Sequence, residues 1–263
     1  MGVPALFRRL FDDAALFPPG NAPMGEAVPA HRRHHREWYT DMVGPFLVPD
    51  TKLDELTASL SDEPLDVVLI VPGGVAGVAS ALDRVDAEPR LRLGGVEVPV
   101  TGPHDIRHLP EGVPVAVETT NPAVLDSLAG TGRRAKLRTG GVSAAAFPTE
   151  PEVAHFIRAC LDRRVAFKCT AGLHGAARHT DPNTGFEHHG FLNVLLAVTA
   201  GLEGASEVEL EHALAERDRM GLAAVAAHVD DDAATEVRNA FGSVGTCSVT
   251  EPIDELVALA LVT

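Results

Sequence analysis

Three stretches of the chain share one pattern of apolar and polar positions. Within residues 113–118, Val115 and Val117 alternate with Ala116 and Glu118. Within 135–141, Ala135 and Leu137 alternate with Lys136 and Arg138 before Thr139-Gly140-Gly141. Within 165–172, Val165, Phe167 and Cys169 alternate with Ala166, Lys168 and Thr170 before Ala171-Gly172. Successive side chains on a strand point to opposite faces, so each stretch predicts a strand with one apolar face. The other face turns charged near its C-terminal end. A (β/α) barrel places polar groups at its mouth in this way.

The remaining pattern supplies the other elements. Residues 3–17 are ambiguous between helix and strand, and Pro18-Pro19-Gly20 ends either. A first barrel strand there would leave Asp12 or Asp13 near the mouth. Residues 24–41 predict a helix carrying Trp38 and Tyr39, and 43–48 a second strand. A capping-box-like start at Thr51 leads into a helix with Leu53, Leu56 and Leu60 as its buried stripe. Residues 67–71 are continuously apolar, as in a parallel strand covered on both faces. Pro72-Gly73-Gly74 then reads as a plain turn into a helix, because it lacks the full dinucleotide-binding spacing.

Residues 91–100 and 113–118 predict further strands, and Asn121-Pro122 caps the helix after them. The clearest helix separates the two lysine stretches. Thr149-Glu150-Pro151-Glu152 is a capping box, and Val153, Phe156, Ile157, Cys160 and Leu161 follow at helical spacing. Residues 191–202 and 206–217 read as helices, 240–248 as a last strand and 252–261 as a last helix. Helix-strand alternation from residue 43 predicts an α/β domain with a parallel sheet. A single (β/α)8 barrel of the TIM type over residues 1–263 is the favoured form. An open doubly wound sheet is the alternative, since periodicity does not reveal closure.

Composition narrows the function. Hydrophobic residues make up 45% and charged residues 22%, ordinary for a globular chain. A net charge of −15 argues against a nucleic-acid partner. The basic run His31–Arg36 is the local exception, read as a solvated helix face in preference to an anion site. Cys160, Cys169 and Cys247 have no paired spacing, which suggests a reducing compartment. Arg8, Arg9, Asp12 and Asp13 interrupt the first apolar residues, against a cleaved leader, and residues 191–202 are too short to span a bilayer. The expectation is a cytoplasmic protein with a small-molecule substrate, no membrane or nucleic-acid partner, and an oligomeric state left open.

Glu118, Lys136, Arg138 and Lys168 form a first constellation, expected in one cavity. Charges inside a barrel are costly unless paired, so Glu118 must meet at least one cation. The plainer reading is a structural ion network between strands. Position favours chemistry, because all four stand at strand ends before turns. Three cations crowding one carboxylate would depress a lysine, and a neutral lysine is what imine formation with a carbonyl requires.

Lys136-Leu137-Arg138-Thr139-Gly140, a capped helix, and Lys168-Cys169-Thr170-Ala171-Gly172 resemble the paired-lysine region of class I aldolases of the deoxyribose-phosphate aldolase type. In that family a Lys-x-x-Thr-Gly strand carries the Schiff-base lysine, and a second lysine follows one strand on. The resemblance implies that Lys136 is the nucleophile and Lys168 the group that perturbs it, with Glu118 or His174 moving the proton. It covers Lys136–Gly172. Arg138 stands where that family has a small residue, and the His-rich segment after Lys168 has no counterpart there.

That segment, 171–190, is expected to be a lid on the mouth. His174, Arg178, His179, Asp181, Glu187, His188 and His189 make it a second constellation. Arg178, His179 and Thr170 are candidates for substrate contact, beside Arg138. No cofactor is favoured, but His174, His179, His188 and His189 are the set that would hold a divalent metal. A third constellation is Phe241–Ser248, where Gly245 and Thr246 precede a helix start suited to an anion, although Glu251 would oppose it. A tight turn explains these residues equally well. The favoured reading is an enzyme acting on a small anionic carbonyl compound, an aldolase-like lyase or isomerase using a lysine imine. The alternatives are a metal-dependent hydrolase or lyase built on the histidines, and a barrel that binds a ligand without catalysis.

Overall fold

A computed structural model describes residues 2–263 and shows a closed eight-stranded barrel. Its strands are β1 (Phe11–Asp13), β2 (Val43–Pro49), β3 (Leu65–Ile70), β4 (Leu91–Pro99), β5 (Val115–Glu118), β6 (Arg134–Arg138) and β7 (Phe167–Thr170). A two-stranded antiparallel hairpin, β8 (His179–Thr180) with β9 (Glu187–His188), lies apart from the barrel, which β10 (Phe241–Thr246) completes. Closure is decided at β1, which pairs in parallel with both β10 and β2. An open sheet would end in two edge strands, whereas all eight strands here pair on both sides, so the doubly wound alternative is excluded.

Around the barrel run α1 (Met24–His34), α2 (Leu53–Ser59), α3 (Val78–Asp86), α4 (Pro122–Leu128) and α5 (Glu150–Asp162). The return from β9 to β10 carries α6 (Phe191–Leu202), α7 (Glu207–Ala215), α8 (Arg219–Ala226) and α9 (Asp231–Ala240), and α10 (Thr250–Ala258) ends the chain. Between β4 and β5 a 3-10 turn, Pro103–His108, replaces a helix. Local chemistry sets the helix starts. The Asn121 side chain accepts from the Ala123 amide with Pro122 at the first turn, and Thr149 and Glu152 form the reciprocal cap of α5. The expected cap at Thr51 is absent, because Asp50–Lys52 is a 3-10 turn leading into α2.

Val67, Leu69, Val96, Val98, Val117, Ala135, Leu137, Phe167 and Cys169 form the buried outer face of the sheet under the helices. Helix α6 is buried nearly all round because α5, α7, α8 and α9 pack against it. Its apolar character is thus internal, and among the described residues no helix is long and apolar enough to cross a membrane. The basic run is corrected at one residue. Helix α1 stops at His34, and His31 is 1% exposed with its ring nitrogen Nδ1 2.9 Å from Asp13 Oδ2.

Candidate active site at the barrel mouth

The inward face of the barrel carries an alternating row of opposite charges. Lys168 on β7 donates to Asp12 Oδ2 on β1 at 2.6 Å and also to Glu97 Oε1 on β4. Lys136 Nζ on β6 lies 2.7 Å from Glu97 Oε2 and 2.9 Å from Glu118 Oε2 on β5. Arg138 Nε donates to Glu118 Oε1 at 3.1 Å. The Glu97 Oε2 contact falls outside hydrogen-bond geometry and acts as an ion pair. Asp12, Glu97, Lys136 and Lys168 are each under 5% exposed, so little water screens this row.

Three carboxylates therefore balance three cations, where one carboxylate facing three cations was expected. Burial penalises the Lys168 ammonium, but Asp12 and Glu97 outweigh that and raise its pKa. Lys168 is thus not the depressed lysine. Burial likewise opposes the Glu97 carboxylate, yet the two lysines hold its pKa down at about 2. Glu118 is also lowered, its burial overcome chiefly by Lys136 and then by Arg138.

Above this row opens a cavity of about 920 Å³ at the C-terminal ends of the strands. Lys136, Arg138, Thr170, Gly245, His174 and His188 line it, as does Glu97. The expectation that Glu118, Arg138 and Lys168 open into one cavity is corrected. Lys168 faces a separate cavity at the N-terminal end of the barrel, while Glu118 flanks Lys136 without lining the mouth. Neighbouring strands pair Lys136 with Lys168, and the two ammoniums share Glu97 but differ in their second carboxylate, Glu118 for Lys136 and Asp12 for Lys168.

Thr139 shows why the Lys-x-x-Thr-Gly stretch has its form locally. Its hydroxyl donates to the Ala171 carbonyl at 2.6 Å, tying the turn after β6 to the turn after β7. A Cβ on Gly140 would come within 2.8 Å of Gly172 Cα, so only glycine permits this approach.

Segment 171–190 sits over the same opening. His174, Asp181, Asn183, Thr184, Phe186 and His188 from it line the cavity. Its base is packed into the protein, with Leu173 and Ala176 fully buried. Arg178 is turned away from the mouth, 8% exposed and paired with Glu150 at 3.0 Å and Glu187 at 3.2 Å. His189 is fully buried, donating from Nε2 to the Pro148 carbonyl at 2.7 Å and accepting from Arg178 at Nδ1. His179 Nδ1 lies 3.0 Å from the Ala177 carbonyl. Arg178, His179 and His189 thus lie outside the mouth lining. Among the described residues no group of three or more His, Cys, Asp or Glu side chains is placed to hold a metal ion.

The expected anion site after β10 is also corrected. Thr246 is 1% exposed and donates to the Ser248 carbonyl at 2.8 Å, while Glu251 occupies the first turn of α10. His174 Nδ1 lies 3.1 Å from Glu251 and 3.2 Å from Thr246 Oγ1. With the Nδ1 proton held there, Nε2 is an acceptor, 3.6 Å from Cys247 Sγ. Burial lowers the His174 pKa, although Glu251 opposes it, so the imidazole is neutral at neutral pH.

Sequence reasoning missed Glu97 and Cys247 and placed Asp12 only loosely. A lone carboxylate between Val96 and Val98 was the available signal for Glu97. The chain matches no protein-family model, no curated protein and no solved structure.

Proposed function

We propose that the protein is an enzyme acting on a small anionic carbonyl compound through an imine on Lys136, with aldolase-like lyase or isomerase chemistry. The observation that carries this reading is the position of Lys136 within the charge row. Each carboxylate it touches has a second cation, Lys168 for Glu97 and Arg138 for Glu118. Lys136 can therefore lose its proton without orphaning a buried carboxylate, and a protonated imine would restore the same charge. Lys168 has no such freedom, since among the described residues it is the only charged partner of Asp12, which otherwise accepts from Ser243 at 2.6 Å.

Residue choice supports the same reading. Only three of the 22 basic side chains are lysines, Lys52, Lys136 and Lys168. Two of them stand inside the barrel, where arginine would serve a purely structural ion pair at least as well. Arginine cannot act as an amine nucleophile.

In the proposed sequence the neutral Lys136 amine adds to the substrate carbonyl carbon, and the resulting carbinolamine, taking up one proton from solvent, loses its oxygen as water to give the protonated imine. That cation withdraws electrons from the adjacent carbon. A base then removes a proton from the substrate, either from a β-hydroxyl with carbon–carbon cleavage or from the α-carbon for isomerisation. His174 suits this step better than Glu118, because it is neutral at neutral pH and lines the mouth, whereas Glu118 is held as a weakly basic carboxylate. Arg138, 52% exposed at its side chain, offers its free edge to the substrate anion.

Borohydride reduction with a panel of small phosphorylated and carboxylated aldehydes and ketones tests the reading. The expected result is one reduced adduct, located on Lys136 by peptide mass spectrometry and lost in Lys136→Arg. An adduct on Lys52 or Lys168, or none with any carbonyl compound, would overturn it.

A further inference from the structure

The cavity at the opposite end of the barrel has its own charge. It measures about 690 Å³ and opens between the N-terminal ends of the strands. Three arginines line it: Arg9 before β1, Arg134 at the start of β6 and Arg238 near the end of α9. Among the described residues none of the three has a carboxylate within ion-pair distance, although most other arginines of the chain are paired. The two acids in the wall are already engaged, Asp12 by Lys168 and Ser243 and Glu97 by Lys136 and Lys168.

Arg134 and Arg238 meet at Gly242, and Arg9 lines the same cavity. Arg238 donates to the Gly242 carbonyl and, at 3.3 Å, to the Arg9 carbonyl. A Cβ on Gly242 would meet Arg134 Nη1 at 3.0 Å, so the missing side chain lets that guanidinium lie against the strand. Among the described residues Arg238 is wedged among carbonyls with its Nε unpartnered, while Arg9 and Arg134 are exposed and make no side-chain hydrogen bond. Burial pulls the Arg238 pKa down to about 10, with Asp12 opposing and the Arg134 charge adding to the fall. The local positive charge is thus uncompensated in a chain of net charge −15.

We infer that this N-terminal cavity is a binding site for a multiply charged phosphate group, separate from the mouth. Two free guanidinium forks can each take two phosphate oxygens, and the third supplies a fixed charge behind them. Arg9 and Arg134 line the same cavity as Arg238, so an anion bound there would offset the charge all three bring to it.

Inorganic pyrophosphate, titrated calorimetrically into the full chain at low ionic strength, tests the site. Arg134→Gln is expected to weaken binding about tenfold, equivalent to about 1.4 kcal/mol. Arg134→Lys is expected to fall between, since it keeps the charge and loses the fork. Arg9→Gln with Arg134→Gln should abolish binding, and Arg138→Gln at the mouth should leave it unchanged. Binding that fails with Arg138→Gln and survives Arg134→Gln would place the anion at the mouth and overturn the inference. Equal weakening by both variants, or no binding to the unaltered protein, would overturn it as well. Neither outcome touches the borohydride result, which reads Lys136 alone.

Discussion

The two halves of the barrel interior are built on opposite principles. On the β2–β3 side, Leu47 and Val68 form a small apolar cluster with Ala14, and Phe17 and Ile70 pack against it. On the β4–β7 side the inward positions include Glu97, Glu118, Lys136, Arg138 and Lys168, and Asp12 on β1 completes their row. The first half resembles the branched side-chain layers that ordinarily fill such barrels. The second places ions where desolvation costs several kcal/mol each, so a hydrophobic filling of the same volume would be as stable or more so. Stability alone does not account for the charged half. The apolar half supplies the low-polarity wall against which those charges act strongly.

Breaking the charged half should cost most. Lys168→Met removes the cation paired with Asp12 and leaves Glu97 with Lys136. Urea unfolding should show a loss of about 3–5 kcal/mol. This revises the sequence-based expectation that Lys168→Met mainly shifts a pH optimum. Lys136→Met should cost less, because Glu97 and Glu118 each retain a partner. Removing the middle pair together, as Glu97→Leu with Lys136→Met, leaves Asp12–Lys168 and Glu118–Arg138 intact. It should be less destabilising than Glu97→Leu alone, and the reverse order would show that the row does not act as alternating pairs.

On the apolar side Leu47→Ala should cost about 2–5 kcal/mol through the cavity it leaves. The contrast lies in pH dependence. Glu97 is depressed when folded, so its stabilisation is complete above about 4.5, the ordinary value, and is lost as pH falls towards about 2. Lys168 is raised, so its contribution is complete below 10.5 and is lost as pH rises beyond it through the raised value. Leu47→Ala should keep both limbs of the stability profile. The Glu97→Leu, Lys136→Met double variant should lose much of the acid limb.

The smallest effects concern the rim. With His174 neutral until the pH falls below the usual 6.5, turnover should hold through neutrality and decline on acidification. His174→Asn should remove that limb from the rate profile. Iodoacetamide should label one thiol, Cys247, which lines the mouth. Cys160 and Cys169 are fully buried, and burial pushes the Cys160 thiol up to about 12 and raises Cys169. Labelling of either core cysteine in the folded protein would contradict this packing.

Much of the fold was legible because it rests on local rules. Strand alternation identified the inward face at Ala116, Lys136 and Lys168, and the caps at Asn121 and Thr149 follow from short-range hydrogen bonds. Residues 218–240 are different. Helices α8 and α9 form there, and their apolar faces gain meaning only against α6. The histidines of 171–190 were also open to several readings, because an imidazole's role depends on its partners. His189 became a buried structural group and His174 a cavity residue.

The sequence by itself determined which side chains face into the barrel and which stretches start helices, since period and capping act over a few residues. Only the tertiary structure decided closure, the meeting of Asp12, Glu97 and Lys168 across 71 to 156 residues of chain, and the end of the barrel each lysine serves. Alternation specifies a face but not a depth. Depth depends on how the strands stagger when the sheet closes, and that stagger places Lys136 under the mouth and turns Lys168 towards the other end.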